Sequence, residues 1–303
     1  MADVITKSVS FALIVIMGYL LKKIKILEKQ DFYVFSKIVL KITLPCAVIS
    51  NFSKISLNYS MLLLSGFGLA ANIITVAVGY IVYRKRKSVN PAFAMINLSG
   101  FNIGCFTSPF VQSFLGTTGF AATSFFDAGN SVMCTGLTYT IASLVSRKGE
   151  KISIKLMLKN LFSSLPFDAY LLMTLILFFR IKLPDLMLKF TETVGNANAF
   201  MALLMIGIGF EIHFEKEQLK QIVKLLFTRY AISYAFAWSF YMYLPFALEI
   251  RQAVVMAFLG PVSAVAPAFT GKIEENVEMS SAINSLSIMI SMISMTAVLA
   301  IIL

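Results

Sequence analysis

The sequence is poor in charged residues and contains a single histidine and three cysteines. Charged residues make up 14% of its 303 positions, whereas a soluble domain usually carries about 25%. The cysteines Cys46, Cys105 and Cys134 lie inside apolar runs without metal-ligand spacing, so we interpret them as inert interior thiols. An H-E-x-x-H motif, paired carboxylates within the apolar runs and a phosphate-binding G-x-x-x-x-G-K-[ST] loop are missing. We therefore expect no enzyme, no metal, no cofactor and no direct use of ATP.

What the sequence does contain is apolar. Hydrophobic residues make up 58% of the chain and the mean hydropathy is +0.82. Apolar runs of about 20 residues recur, and each is long enough to cross the hydrocarbon core of a bilayer. The net charge of +11 does not indicate nucleic-acid binding, because the basic residues lie in short loops between apolar runs. The sequence predicts an all-α polytopic protein surrounded by membrane lipid.

Ten membrane spans are predicted. The first is followed by Lys22 and Lys23 and has no small-residue cleavage site, so we interpret it as a retained span and not as a signal peptide. The predicted spans are 4–21, 33–52, 61–83, 91–112, 119–145, 164–181, 193–212, 225–247, 252–270 and 280–302.

The basic residues predict the orientation of these spans in the cell (inner or plasma) membrane. Most lysines and arginines fall on one side if both termini lie outside, as the positive-inside rule requires. The loops placed inside carry Lys22, Lys23, Lys25 and Lys29, then Arg84 to Lys87, then Arg147 to Lys159, then Lys216, Lys220, Lys224 and Arg229, and last Lys272. Lys37 and Lys41 lie four apart in span 2; we expect them to snorkel toward the inner surface, the alternative being a basic lining of the inward path.

A polar connection, Ser146 to Asn160, divides the ten spans into two sets of five. We predict a first repeat at 1–145, a cytosolic linker at 146–163 and a second repeat at 164–303. Because each repeat has an odd number of spans, the two repeats must have opposite orientations. Span 4 then corresponds to span 9.

Spans 4 and 9 are the two that do not read as plain helices. The segment Asn97 to Phe110 combines Pro109 with glycines and polar residues, and Leu259 to Phe269 places Pro261 and Pro267 on either side of small residues. Proline removes a backbone donor, and an interrupted backbone survives in a membrane only inside protein or against a watery cavity. Two interrupted spans at matching places indicate the binding site of a transporter. The alternative is that both prolines only kink continuous helices.

These motifs resemble those of the auxin efflux carrier family, in its bacterial branch. The resemblance covers nearly the whole chain and depends on I-T-L-P at 42–45, N-x-G at 102–104 followed by Pro109, D-x-G-N at 127–130 and P-V-x-A-V-A-P at 261–267. It implies two inverted five-helix repeats, crossed broken helices in spans 4 and 9, and export or exchange of organic anions such as malate or malonate. It also makes a homodimer plausible. The chain departs from the family at Thr107, where glycine is usual, and at Ser263 to Ala266, where an asparagine often follows the proline.

The broken spans supply the candidate substrate site. Helix N-termini present unpaired N–H groups that suit a carboxylate. We expect Pro109 at the first position of the second half-helix with Ser108 as its cap; because Ala266 has no side-chain acceptor, the amides after Pro267 are expected to be freer. Asn102 bonds either a ligand carboxylate or the freed carbonyl groups of its own break. The predicted substrate-binding residues are Asn102, Gly104, Thr107, Pro109, Gly260, Pro261, Ser263 and Pro267.

Asp127 is the candidate for ion coupling. A carboxylate inside a span costs at least about 2.5 kcal/mol and is functional by default, although it could also lie near enough to the interface to be solvated. With Asn130, three residues on and on the same helix face, it could carry a proton or hold Na⁺. We assign Pro45, Asn196 and Asn198 as supporting residues, which could equally form interhelical hydrogen bonds. His213 is expected to be a solvated interfacial residue.

The sequence therefore predicts a secondary carrier of small organic anions that works by alternating access, coupled to H⁺ or Na⁺ or running as an exchanger. The alternatives are a Na⁺/H⁺ antiporter or a sodium/bile-acid-type symporter, a membrane enzyme, and a receptor that does not transport.

Overall fold

The computed structural model describes residues 2–56, 58–85, 89–146, 154–212 and 214–303. Within these ranges the protein is built from helices, and the β-type contact found there is one isolated bridge. The α-helices are α1 (Ala2–Lys23), α2 (Asp31–Ile38), α3 (Leu44–Phe52), α4 (Leu63–Tyr83), α5 (Pro91–Leu98), α6 (Ser108–Val132), α7 (Thr138–Ser146), α8 (Ile154–Leu161), α9 (Leu165–Phe178), α10 (Asp185–Asn196), α11 (Asn198–Gly209), α12 (Lys216–Tyr243), α13 (Leu248–Phe258), α14 (Ala266–Lys272) and α15 (Val277–Ile302). His213 lies outside the described residues.

Four helical runs are long and apolar enough to cross a membrane alone: Asp3–Lys23, Asp31–Phe52, Tyr59–Tyr83 and Val277–Ile302. Helices α8 and α9 meet at an angle of 72° and make a fifth if they are counted as one span. In the described chain the remaining segments are interrupted, as α6 is at Gly116, or shorter, or, like the 28-residue α12, not apolar enough to qualify alone, so the number of ten spans stays a prediction.

Burial in this protein is the reverse of that in a soluble domain. Large apolar side chains are exposed on the outer helices, such as Leu13 and Ile293, while Asn72, Ser287 and Arg229 are buried. Exposed apolar side chains suit a hydrocarbon environment, in which polar groups must find partners inside the protein.

Both segments expected to be broken are interrupted, and the two interruptions contact each other through their backbones. Helical structure stops after Leu98 and resumes at Ile103, and it stops again after Phe258 and resumes at Ala266. Phe101 and Val262 form an antiparallel bridge. It is flanked by a hydrogen bond from Asn102 N–H to the Pro261 carbonyl (2.9 Å) and one from Ser263 N–H to the Gly100 carbonyl (3.2 Å).

A π-helical turn precedes each of the prolines Pro45 and Pro109. The turns are Val39–Thr43 and Ile103–Thr107, and in each the next N–H donates to the carbonyl five residues back. The wider turn carries the helix through the proline, so Pro109 does not start the second half-helix. The expectation that Ser108 caps it was also wrong: the Ser108 hydroxyl lies 3.2 Å from the Thr123 hydroxyl instead.

Helices α4 and α6 approach each other closely at two glycines. A Cβ on Gly129 would lie 1.8 Å from the carbonyl oxygen of Ser65, and a Cβ on Gly68 would lie 2.1 Å from that of Phe126. Only glycine allows backbones this close. The contact brings Asn72 of α4 to within hydrogen-bond distance of Asn130 of α6.

Helices from both halves of the chain pack together. Helix α1 packs against α11, and α3 packs against α9 and α10. Helices α4, α5, α6, α12, α13, α14 and α15 pack around the two breaks. Within the expected cytosolic linker, residues 147–153 lie outside the described residues, and the following part is not a plain loop but the helix α8.

Candidate functional site at the paired helix breaks

Two asparagines hold the backbone of the first break. Asn72 Oδ1 accepts a hydrogen bond from Gly100 N–H (2.5 Å), and Asn130 Oδ1 accepts one from Phe101 N–H (3.0 Å). The Asn130 amide nitrogen donates to the Phe101 carbonyl (2.8 Å). Because Asn130 pairs with both backbone groups of one residue, the orientation of its carboxamide is fixed.

The second break is held from α15. The Ser287 hydroxyl oxygen accepts a hydrogen bond from Val262 N–H (3.0 Å), and the Asn284 amide donates to the Val262 carbonyl (2.9 Å). Ser291 donates its hydroxyl hydrogen to the Leu259 carbonyl (2.6 Å). Each break therefore has polar partners that compensate for the lost helical hydrogen bonds.

Arg229 of α12 connects the two breaks. Its side chain is buried, with 1% exposure. Nη1 donates to the Leu98 carbonyl (2.5 Å), while Nη2 lies 2.9–3.1 Å from the carbonyl oxygens of Gly100, Gly260 and Pro261. Leu98 is the last residue of α5, and the other three oxygens lie two or three residues past the C-terminal ends of α5 and α13, where the helix dipole is negative. The guanidinium group of Arg229 thus offsets the negative partial charge at the ends of both α5 and α13.

Arg229 corrects one sequence interpretation. From the sequence we count it with the basic residues of an inner loop, although the predicted span 8, 225–247, already includes position 229. Helix α12 begins at Lys216, so Arg229 lies well inside it. The sequence alone could have identified Arg229, because it begins the otherwise uncharged run R-Y-A-I-S-Y-A, and an arginine inside a span is a functional candidate by default.

Asp127 of α6 lies beside the start of the helical turn after the first break. Its Oδ1 accepts a hydrogen bond from the Asn130 amide (2.8 Å), and its Oδ2 accepts one from the Tyr170 hydroxyl (3.0 Å). A Cβ on Gly104 would lie 3.6 Å from Oδ2. Asp127 is 7% exposed, so it is not the solvated interfacial residue that we considered as an alternative.

Asn102 precedes the same helical turn. Its backbone carbonyl accepts hydrogen bonds from the Thr107 N–H (3.2 Å) and hydroxyl (3.3 Å). In the described part of the chain its carboxamide has no hydrogen-bond partner, although the residue is only 7% exposed. The freed carbonyl groups are bonded by Arg229, Asn130 and Asn284, so the Asn102 side chain does not serve that structural role here.

The predicted substrate residues are only partly brought together. Gly260 is in contact with Thr107, because a Cβ on it would lie 2.6 Å from the Thr107 hydroxyl oxygen. Pro261 and Ser263 take part in the hydrogen bonds between the breaks. Pro109 lies buried, past the π turn, and Pro267 is the second residue of α14.

The predicted supporting residues lie at another contact, between spans 2 and 7. Asn198 Oδ1 accepts a hydrogen bond from the Thr43 hydroxyl (2.8 Å), two residues before Pro45. Asn196 is exposed. Span 2 reaches the breaks through a different side chain, Leu44, which packs against Gly104.

Sequence reasoning missed Asn72 and Tyr170 as well as Arg229. Polar side chains within apolar runs were the available signal for Asn72, whereas a tyrosine in an apolar helix carries little information. A small cavity of about 10 Å³ adjoins the breaks and is lined by Gly100, Cys134 and Ser263 among others. This is about the space of one water molecule.

A family model described as a membrane transport protein matches residues 3–299. The chain belongs to this family, which is the auxin efflux carrier family. No curated protein gives a significant match. The transporter is accordingly a multi-pass membrane protein, and its apolar exposed helices agree with that assignment.

Proposed function

We propose that this transporter is a secondary carrier of small organic anions, such as carboxylates, that works by alternating access across the cell membrane. The proposal extends the family assignment to a substrate class, and it takes the paired breaks as the place where the anion binds. Asn102, Gly104, Thr107, Gly260, Pro261 and Ser263 are the substrate-binding residues of this proposal, and Asp127 with Asn130 is the coupling site.

The unpartnered carboxamide of Asn102 is the observation that carries the proposal. In the described chain the carboxamide nitrogen and oxygen of Asn102 have no hydrogen-bond partner and stay accessible to solvent, although the residue as a whole is 7% exposed, so they are free to bind a ligand. Asn102 stands at the N-terminal end of a helical turn, where the backbone partial charge is positive. An amide donor next to a positive helix end suits a carboxylate.

The two-repeat architecture belongs to the same proposal. Spans 3 and 8 each contribute one polar side chain to the breaks, Asn72 and Arg229, and spans 5 and 10 contribute Asn130 and Asn284. This correspondence supports ten spans in two inverted repeats. The excess of basic residues in the predicted inner loops supports both termini outside, and a homodimer remains part of the proposal.

Uptake into proteoliposomes tests this function. Purified protein is reconstituted, and uptake of radiolabelled malonate and malate is measured with imposed pH and Na⁺ gradients. Asn102→Ala should lower kcat/KM at least about tenfold, equivalent to about 1.4 kcal/mol, because a direct bond to the anion is lost. Asn196→Ala is the matched control, because Asn196 is an exposed asparagine at another helix interruption.

Two results would overturn the proposal. One is cation exchange that needs no organic anion, which would favour the Na⁺/H⁺ antiporter considered above. The other is anion uptake that Asn102→Ala and Asn196→Ala leave equally intact.

A further inference from the structure

Asp127 occupies a place that a bound anion would also favour. The helical turn after the first break begins at Ile103, and its first N–H groups precede any intrahelical acceptor. Among the described residues none accepts a hydrogen bond from the N–H of Gly104 or Cys105. The Asp127 carboxylate lies against this end, since a Cβ on Gly104 would be 3.6 Å from Oδ2.

A second observation indicates a ligand at the same end. Asn102 is the residue immediately before this turn; the residue is 7% exposed, and its carboxamide has no hydrogen-bond partner in the described chain while its polar atoms stay accessible to a ligand. Asn102 and Asp127 thus flank Gly104 from two different spans. A negatively charged ligand held by Asn102 would meet the Asp127 carboxylate at close range.

Among the described residues no cationic side chain is paired with the Asp127 carboxylate. Arg229 is engaged by four backbone carbonyl oxygens and stacks on Phe101, with its guanidinium carbon 4.8 Å from the ring centre. Asp127 takes part in no ion pair within the described residues. The titratable groups that face it are the Tyr170 hydroxyl from α9, the Cys105 thiol from the π turn and the Cys134 thiol further along its own span.

The partners of Asp127 suit a proton better than Na⁺. Its two carboxylate oxygens receive hydrogens from Asn130 and Tyr170. The Asn130 oxygen already accepts from Phe101 N–H and from the Asn72 amide (3.0 Å), so it is not available to a cation. Hard cations require several oxygen ligands, whereas a protonated carboxyl group can donate to Tyr170, because a tyrosine hydroxyl also accepts.

We propose that the Asp127 carboxylate competes with the substrate anion for the helix end at Ile103, so that each anion binds together with one proton on Asp127. Neutral Asp127 leaves the positive helix end and Asn102 to the anion. Ionised Asp127 repels the anion and takes its place. This inference depends on the proposed function, because it assumes that an anion binds at the breaks, and it identifies the coupling ion as H⁺.

The test is the pH dependence of anion binding to Asp127→Asn. Dissociation constants for acetate, malonate and malate are measured by calorimetry between pH 5 and pH 8 on wild type and variant. Asparagine keeps the shape, its oxygen can accept from Asn130, and its amide can donate to Tyr170, so the fold should persist. The ratio of the two constants cancels the protonation of the ligand itself.

The expected result is a ratio that changes with pH. At low pH the two proteins should bind alike; at higher pH the affinity of the wild type should fall relative to Asp127→Asn by up to about tenfold per pH unit, as linkage to one proton requires. Asp168→Asn is the matched control, since Asp168 lies two residues before Tyr170 in α9 and its side chain makes no hydrogen bond or ion pair with the breaks among the described residues, and it should follow the wild type. At pH 8, where the free ligands are ionised, wild type should also take up close to one proton per anion bound, and Asp127→Asn none.

A constant ratio across pH, or equal proton uptake by wild type and Asp127→Asn, would overturn the inference while leaving the proposed function in place. Failure of all three acids to bind either protein at any pH would overturn both.

Discussion

At the scale of single residues, Arg229 is the charged group whose burial costs the most free energy in the described part of the chain. It is buried in the middle of α12, in the predicted span 8; an arginine at the centre of a membrane helix costs about 2.5–3.5 kcal/mol even on the lowest scales, and no carboxylate pairs with it among the described residues. Its four carbonyl partners come from both breaks. Arg229 therefore stabilises the contact between the breaks and removes negative partial charge from the region.

Replacing Arg229 should consequently weaken the contact between the two breaks and destabilise the protein. Arg229→Met fills a similar volume but removes a charged donor from four carbonyl oxygens, of which only those of Gly100 and Pro261 keep a backbone hydrogen bond within the described chain, so the free energy of unfolding should fall by at least about 2 kcal/mol. Arg229→Lys keeps the charge but loses the fork of donors and should recover only part of this loss.

Thermal unfolding in detergent, read by tryptophan or dye fluorescence, checks the Arg229 prediction. Arg251→Met is the control, because in the described part of the chain Arg251 donates to one carbonyl oxygen, that of Tyr241. Equal Tm values for Arg229→Met and Arg251→Met would contradict it.

At the scale of elements, the site depends on how closely two helices pack. The contact of α4 with α6 at Gly68 and Gly129 aligns Asn72 with Asn130, and these two side chains hold the first break. The positions of the polar side chains are therefore set by residues that have no side chain.

Gly129→Ala tests this dependence. The added methyl group would meet the Ser65 carbonyl oxygen at 1.8 Å, so the helices must separate. We expect a loss of about 3 kcal/mol in unfolding free energy, at the upper end of the range for overpacking, together with weaker anion binding because Asn130 moves away from Phe101.

Gly66→Ala is the matched control for the same contact. It lies in α4, where a Cβ would meet nothing within 4 Å. Thermal unfolding and binding are measured on both variants, and a Gly129→Ala protein as stable as Gly66→Ala would show that the close approach is not required.

The sequence predicted the elements better than their contacts. Proline, glycine and polar residues coincide in both interrupted segments, and those interruptions were predictable because such residues have no place in a plain membrane helix. The side chains that complete the site were not predictable in the same way. Asn72, Tyr170 and Arg229 lie on other helices, and their partners are backbone groups or side chains distant in sequence, which periodicity cannot reveal.

At the scale of the whole molecule, the breaks lie within one packed group of helices that draws on both halves of the chain. The group contains α4, α5 and α6 from the first half and α12 to α15 from the second. Arg229 and two backbone hydrogen bonds join its two breaks. If the proposed switch between inward-open and outward-open states keeps these contacts, the two breaks must move together, as one unit, relative to α1, α3, α10 and α11.

A cross-link between the breaks distinguishes movement as a unit from separation. Phe101 and Val262 are a non-hydrogen-bonded antiparallel pair, the arrangement in which facing residues lie closest, with Cα atoms about 4.5 Å apart. Phe101→Cys with Val262→Cys, in a protein whose Cys46, Cys105 and Cys134 are replaced by alanine, should therefore form a disulfide. We expect anion uptake by the oxidised protein to match that of the same protein after reduction. Uptake that is lost on oxidation and restored by reduction would mean that the breaks must separate during transport, and the carrier would then not move them as one unit.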